Sequence, residues 1–328
     1  MYKLLLGLCL AFNSSAQFQL WSYKFTNSEN QRALISIPNG LFLSGSSEAV
    51  LRLYGPKQTD VERYKLNDQF KEIRDLCITT TGYIAMQSDD TSCILLLDKN
   101  FKVDSVVYLF GRKAPLFLDG ICAEGNYVFL LGDPIDGKFS TFRSFDNGLN
   151  WEPTPGQIAA NNGEAAYAAS GQTNQIVNGQ FYFVSGGLTS RFFHSTNQGL
   201  TWTESALPYP SCPTCGPYAM AVRTEKEIMT VGGSYLEPNT AQNTCFYSNN
   251  GGLTWSAPKK GPSGYRSCVI YANKCYYACG TNGIDVSKDG GKTWKQISRE
   301  NALSMACNQG KLYVTLANGS LLVLDIEK

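Results

Sequence analysis

Four segments of this 328-residue chain align without gaps, and they constrain its fold more than any other feature. They run from Ser144 to Trp151 (SFDNGLNW), Ser195 to Trp202 (STNQGLTW), Ser248 to Trp255 (SNNGGLTW) and Ser287 to Trp294 (SKDGGKTW). Each reads Ser-x-(Asp/Asn)-x-Gly-x-x-Trp. The short side chain of Asp146, Asn197, Asn250 or Asp289 can accept hydrogen bonds from backbone donors of its own turn, and the glycine suits a positive φ. The ring of Trp151, Trp202, Trp255 or Trp294 is large enough to fill the space between neighbouring strands. Each segment is therefore expected to be the structural tip of a β-hairpin, not a catalytic element.

The segments belong to a longer period. Strand-like runs open at Arg32, Arg74, Asp119, Ala166, Tyr218, Arg266 and Ser304, at spacings of 42, 45, 47, 52, 48 and 38 residues. A second apolar run follows each, most of them ending in glycine. Seven units of about 45 residues, with four short strands apiece, predict an all-β, seven-bladed β-propeller occupying residues 17–328. In units one, two and seven the boxed segment has decayed, with Asp98 as a remnant in unit two. The last unit has sequence for only three strands, while Gln17 to Phe25 is an orphan strand at the front. That strand is expected to complete the last blade, with Trp21 in the place of the boxed tryptophan, so that no sheet edge is left to aggregate.

Ahead of it, Met1-Tyr2-Lys3, the apolar run Leu4 to Phe12 and the small residues up to Ala16 read as a secretory leader cleaved near Ala16. Lipidation at Cys9 is the alternative, opposed by the bulky Leu8 before it. The apolar run is shorter than the roughly 20 residues of a membrane span, so a periplasmic or extracellular protein without membrane insertion is expected. With 28 Lys plus Arg against 27 Asp plus Glu there is no basic footprint for nucleic acid. One His excludes a multi-His metal centre.

The boxed pattern is the Asp-box, or BNR repeat. The stretches LFLDGICAEGNYVFLLGDPIDGKFSTFRSFDNGLNWEPTP, NGEAAYAASGQTN, VGGSYLEPN and GPSGYRSCVIY resemble the BNR-repeat propellers of the photosystem II stability and assembly factor type. Within that family they resemble a branch of non-photosynthetic, Bacteroidetes-type bacteria whose members carry labels such as oxidoreductase or glycosyl hydrolase. The resemblance covers residues 20–328 and implies a non-enzymatic scaffold that presents arginines at the propeller mouth to a protein partner. No Gly-x-Gly-x-x-Gly follows a strand, so a nicotinamide site is not expected. No cofactor or metal is expected, and the chain is expected to act as a monomer on a protein, glycan or small ligand.

Inner-strand starts should face the central channel, which nominates Arg32, Arg74, Asp119, Glu164, Tyr218 and Arg266 as the binding site. The alternative is a sialidase-like hydrolase, in which three arginines hold a carboxylate, Tyr218 with Glu164 is the nucleophile and Asp119 the acid/base. The Arg-Ile-Pro signature of sialidases is missing, since Arg32 precedes Ala33-Leu34. Asp133 and Asp136, beside Pro134 and Gly137, read as turn caps, with a cation or ligand site as the sharper reading. Cys212-Pro-Thr-Cys215 suits a local disulfide or half of a zinc site. Cys268 and Cys279 form a second candidate pair, opposite one another on adjacent strands.

Overall fold

The computed structural model describes residues 19–23, 30–45, 47–88, 91–109 and 116–326. The expected leader, with Cys9, lies outside them. Seven antiparallel sheets follow one another along the chain, each opening on its innermost strand. These are Ala33–Ile37, Ile73–Ile78, Leu118–Glu124, Glu164–Ala165 continued by Asn174–Val177, Pro217–Val222, Cys268–Ala272 and Ala302–Asn308. The architecture is a seven-bladed β-propeller, with blades one to seven in chain order.

Period-two alternation explains how the blades stack. In the second strand of blade three, Tyr127–Ile135, the side chains of Val128 and Leu130 pack with Ile84 and Met86 of blade two. Phe129 and Leu131 point the other way, onto Phe181 and Phe183 of blade four. Both faces of this second strand are thus buried between neighbours, and both must be apolar.

Closure occurs as expected: Gln19–Tyr23 pairs antiparallel with Leu321–Asp325, placing Trp21 opposite Val323. The Trp21 side chain lies outside the described residues. Blade five has three full strands, and its outer edge is reduced to a bridge in which Tyr247 and Ser256 exchange backbone hydrogen bonds of 3.0 and 2.9 Å.

The four boxes share one geometry. The serine hydroxyl accepts the glycine N–H (Gly148 to Ser144 2.9 Å, Gly199 to Ser195 2.8 Å, Gly252 to Ser248 2.9 Å, Gly291 to Ser287 2.9 Å). It donates to the Asp or Asn, whose Oδ1 in turn accepts the N–H four residues on, as in Asn150 to Asp146 at 2.9 Å. The glycines hold φ of 83°, 83°, 83° and 89°. Each is pressed against the preceding blade: a Cβ on Gly148, Gly199, Gly252 or Gly291 would meet Ile84, Thr154, Phe192 or Met229. The boxed tryptophans pack on the same neighbours, so a box is a rivet between consecutive blades. Trp151 and Trp294 donate to the carbonyls of their own glycines, at 2.8 and 3.1 Å. Trp255 donates to Ser205 of blade four at 3.0 Å. Asp98 keeps the capping bond alone, accepting the N–H groups of Asn100 and Lys102.

Candidate functional site

The inner strands carry a repeated irregularity that shapes the channel mouth. In blades two, three, five and seven the register slips between Ile73 and Asp75, Leu118 and Gly120, Pro217 and Ala219, and Ala302 and Ser304. One residue is extruded at each slip: Arg74, Asp119, Tyr218 and Leu303. A bulge re-aims a side chain, and all four of these residues line one cavity of about 770 Å³. Arg32 and Ser267 join them from blades one and six.

In blade four the same position has grown into an excursion. The inner strand breaks after Ala165 and resumes at Asn174, and residues 166–173 leave the sheet. They reach several other blades. The Ala168 carbonyl accepts from Arg74 of blade two (3.5 Å), Ser170 donates to the Ser267 carbonyl of blade six (2.7 Å), and Gln172 accepts the Val269 amide (2.9 Å). The Met220 amide of blade five donates to the Gln172 carbonyl at 2.9 Å. Gly171, at φ +74°, lies so close to Asp75 that a Cβ would sit 2.0 Å from Oδ1. Contacts to blades two, five and six from a segment rooted in blade four place it across the channel axis. Ala165 to Ala169 form the cavity floor.

The walls are aromatic and charged. Tyr167 stacks on Tyr218 at 4.1 Å, Tyr265 meets Tyr218 edge-on at 4.8 Å, and the half-exposed Tyr235 stands at the rim. Arg32 and Arg74 share one carboxylate, Glu72, at 3.7 and 3.2 Å. Burial and the neighbouring Arg74 push Arg32 down from its ordinary value. Asp119 is buried, and neither of its oxygens has a hydrogen bond of ordinary geometry among the described residues. The Ala168 N–H comes near enough to favour its ionised form without bonding it. Burial, then the charge of Asp133, hold the Asp119 carboxyl well above the usual carboxylate range. Asp133, extruded by a bulge between Gly132 and Pro134, accepts the Ala166 amide at 3.3 Å. Burial pushes it up to about 6.

Of the six residues nominated from sequence, Arg32, Arg74, Asp119 and Tyr218 meet at this cavity. Two do not. Arg266 is fully buried inside blade six, bonded to Asp285 (Nε to Oδ2 2.8 Å), Asn282 and the Tyr265 carbonyl. The sequence-based start of that strand was one residue off, and in a strand one residue reverses the face; Ser267 takes the channel position. Glu164 points away from the cavity, held by Arg191 at 2.6 and 2.9 Å and by Ser185. The Tyr218 hydroxyl donates to the Thr214 carbonyl at 2.9 Å, and burial holds its pKa well above that of a free tyrosine. A three-arginine cluster with an activated Tyr–Glu pair is therefore not assembled from these residues.

Cys212 and Cys215 form a disulfide, which positions Pro213 and Thr214 on the cavity rim. Cys268 and Cys279 do face each other in register, but both are free thiols, and Cys268 donates to Gln172 Oε1 at 3.3 Å. The candidate second bridge is thus not formed, and Cys268 instead hydrogen-bonds the floor segment. Asp136 is a turn residue, forming with Gly137 a two-residue hairpin tip at positive φ. Among the described residues no cluster of three or more His, Cys, Asp or Glu is placed to hold a metal ion. No described helix is long and apolar enough to cross a membrane.

Sequence reasoning missed Phe117, Tyr167, Tyr235 and Tyr265 as cavity walls, and it missed the floor. The 52-residue spacing from Ala166 to Tyr218, the longest of the series, was its trace.

Residues 246–257 match the BNR/Asp-box repeat family, a stretch that contains the third box. No curated protein matches the chain. Among solved structures it is similar to YCF48 bound to D1 peptide, at 14% identity over 96% of this chain and 98% of that one, with a TM-score of 0.65. It is similar to virginiamycin B lyase from Staphylococcus aureus, at 12% identity over 94% and 99% of the two chains, TM-score 0.68. It is also similar to a GH74 enzyme from Niastella koreensis, at 16% identity over 91% of this chain and 43% of that one, TM-score 0.59. At these identities the likeness is one of fold: the chain is a BNR-repeat-containing β-propeller.

Proposed function

We propose that this chain is an exported binding and assembly propeller that captures a protein partner or small ligand in the cavity over the floor segment. One observation carries the reading. The buried Asp119 carboxylate, without an ion pair or a hydrogen bond of ordinary geometry among the described residues, and the Arg32 and Arg74 guanidiniums, which share the single carboxylate of Glu72, converge with four tyrosines on a single cavity. Buried polar groups left unpaired by the fold are costly unless something else pairs them. The leader-like sequence supports export, and the propeller of YCF48, similar in fold, is known with a peptide bound.

The test is affinity capture from the native cell envelope with mass spectrometry, comparing the wild type with the double variant Arg32→Ala, Arg74→Ala. Loss of the captured species at unchanged melting temperature supports the cavity. Undiminished capture rejects it. Turnover of a fluorogenic sialoside that disappears in Tyr218→Phe would replace this reading with a hydrolytic one.

A further inference from the structure

Four carboxylates are buried among the described residues: Asp75, Asp119, Glu164 and Asp285. Three have resident partners. Asp75 accepts the amides of Leu76 and Ile121 at 2.8 and 2.7 Å. Glu164 is paired with Arg191 and Asp285 with Arg266. Asp119 has neither an ion pair nor a hydrogen bond of ordinary geometry among the described residues, and it is the one of the four that lines the cavity. Arg74 does not complete it, because that guanidinium is engaged with Glu72 and the Ala168 carbonyl. A buried carboxylate needs a cation or several donors to remain charged. Among the described residues the fold supplies no ion pair here, brings up only the Ala168 N–H and the already engaged Arg74, and leaves open space beside the carboxylate.

The surroundings define what would enter. Asp133 stands next to Asp119, and the tyrosine walls present π faces, over which cations are stabilised. The local charges point the same way. Two guanidiniums, Arg32 and Arg74, stand against three carboxylates, Glu72, Asp119 and Asp133. Ionisation of all three leaves one negative charge in excess, which favours a cationic group over an anionic one.

We propose that the cavity recognises a cationic N–H group, an ammonium or guanidinium, with Asp119 as its ion-pair partner and Asp133 flanking it. The inference rests on the cavity being the binding site and names the chemistry of the group that fills it. The group can come from a lysine or arginine side chain of a peptide or from a free small amine.

The full chain is titrated calorimetrically with agmatine, cadaverine, the tripeptides Gly-Arg-Gly and Gly-Lys-Gly, and 1,5-pentanediol as the uncharged counterpart of cadaverine. Saturable binding of at least one cation, weakened at least tenfold in Asp119→Asn and less in Asp133→Asn, is expected, with none for the diol. Tighter binding of the tripeptides assigns the source to a peptide, and tighter binding of agmatine or cadaverine to a free amine. The melting temperature of Asp119→Asn should equal or exceed that of the wild type, which separates lost binding from lost folding. Absence of cation binding, or equal binding by Asp119→Asn, overturns the inference. If envelope capture is still abolished by Arg32→Ala, Arg74→Ala in that case, the cavity remains the site and only the cationic assignment falls.

Discussion

Tyr218 lies flat on Tyr167, with ring centroids 4.1 Å apart and planes 7° from parallel. The pair joins the bulge residue of blade five to the segment that crosses the channel, and the Tyr167 hydroxyl extends the link to the Cys215 carbonyl at 3.1 Å. Tyr167→Ala should therefore cost about 2 kcal/mol, less than a fully buried aromatic truncation because Tyr167 is only partly buried. Hydrogen exchange should quicken at residues 168–173 more than in the blades. Uniform protection across that segment in the variant would show that the stack does not hold it.

The Asp-box glycines are expected to differ in their tolerance of alanine. At φ near +83° to +89° any side chain is strained by about 1 kcal/mol or more. The contacts then decide the order. A Cβ at Gly252 meets the Phe192 ring at 2.3 Å, and a ring packed between blades cannot yield. At Gly291 it meets the end of Met229, which can swing aside. Urea denaturation should rank Gly252→Ala as clearly more destabilising than Gly291→Ala.

Arg266 and Glu164 should act as structural residues. Arg266→Ala leaves Asp285 buried without its cation, a loss of about 3–5 kcal/mol. Glu164→Ala strands the buried Arg191 more mildly, since that arginine keeps Glu204 at 2.6 Å. Thermal unfolding checks both. A melting temperature unchanged in Arg266→Ala would contradict the assignment.

Stability should fall as pH rises from about 4 to about 7. Burial pushes the Asp75 carboxyl up to about 7 from an ordinary 3.8, so the folded chain retains a proton that the unfolded chain gives up. The proton-linked stabilisation is thus fully present below about pH 4, is lost between about 4 and 7, and above that nothing further is lost, a span worth about 4 kcal/mol. Asp133 and Asp119 shift the same way. In Asp75→Asn the part of the slope due to Asp75 should vanish from melting temperatures measured between pH 4 and 8, whatever the variant's absolute stability.

What could be read from sequence was what is local. Ser144, Asp146, Gly148 and Trp151 satisfy one another within eight residues, so the box declares its own geometry, and repetition at a regular spacing declares the propeller. Residues whose placement depends on register were harder. Arg74, Asp119 and Tyr218 were located because the apolar run after each marks the strand, but at Arg266 and Ser267 one residue of slippage exchanged the channel face for the core. The partners that withdraw Glu164 and Arg266, namely Arg191 and Asp285, stand 27 and 19 residues away, with no periodic signal to link them. The floor at 166–173 follows from tertiary contacts to blades two, five and six, which no local pattern encodes.

The most direct test of the binding cavity fills it without touching its charges. Leu303 is a bulge residue on the wall, and Leu303→Trp adds bulk into the space lined by Arg32, Arg74, Asp119 and Tyr218. Quantitative envelope capture should show the wild-type partner or ligand lost in both Leu303→Trp and the double variant Arg32→Ala, Arg74→Ala, with cooperative unfolding retained. Recovery of the same species at wild-type level by folded Leu303→Trp would contradict the claim that the cavity is where this propeller binds.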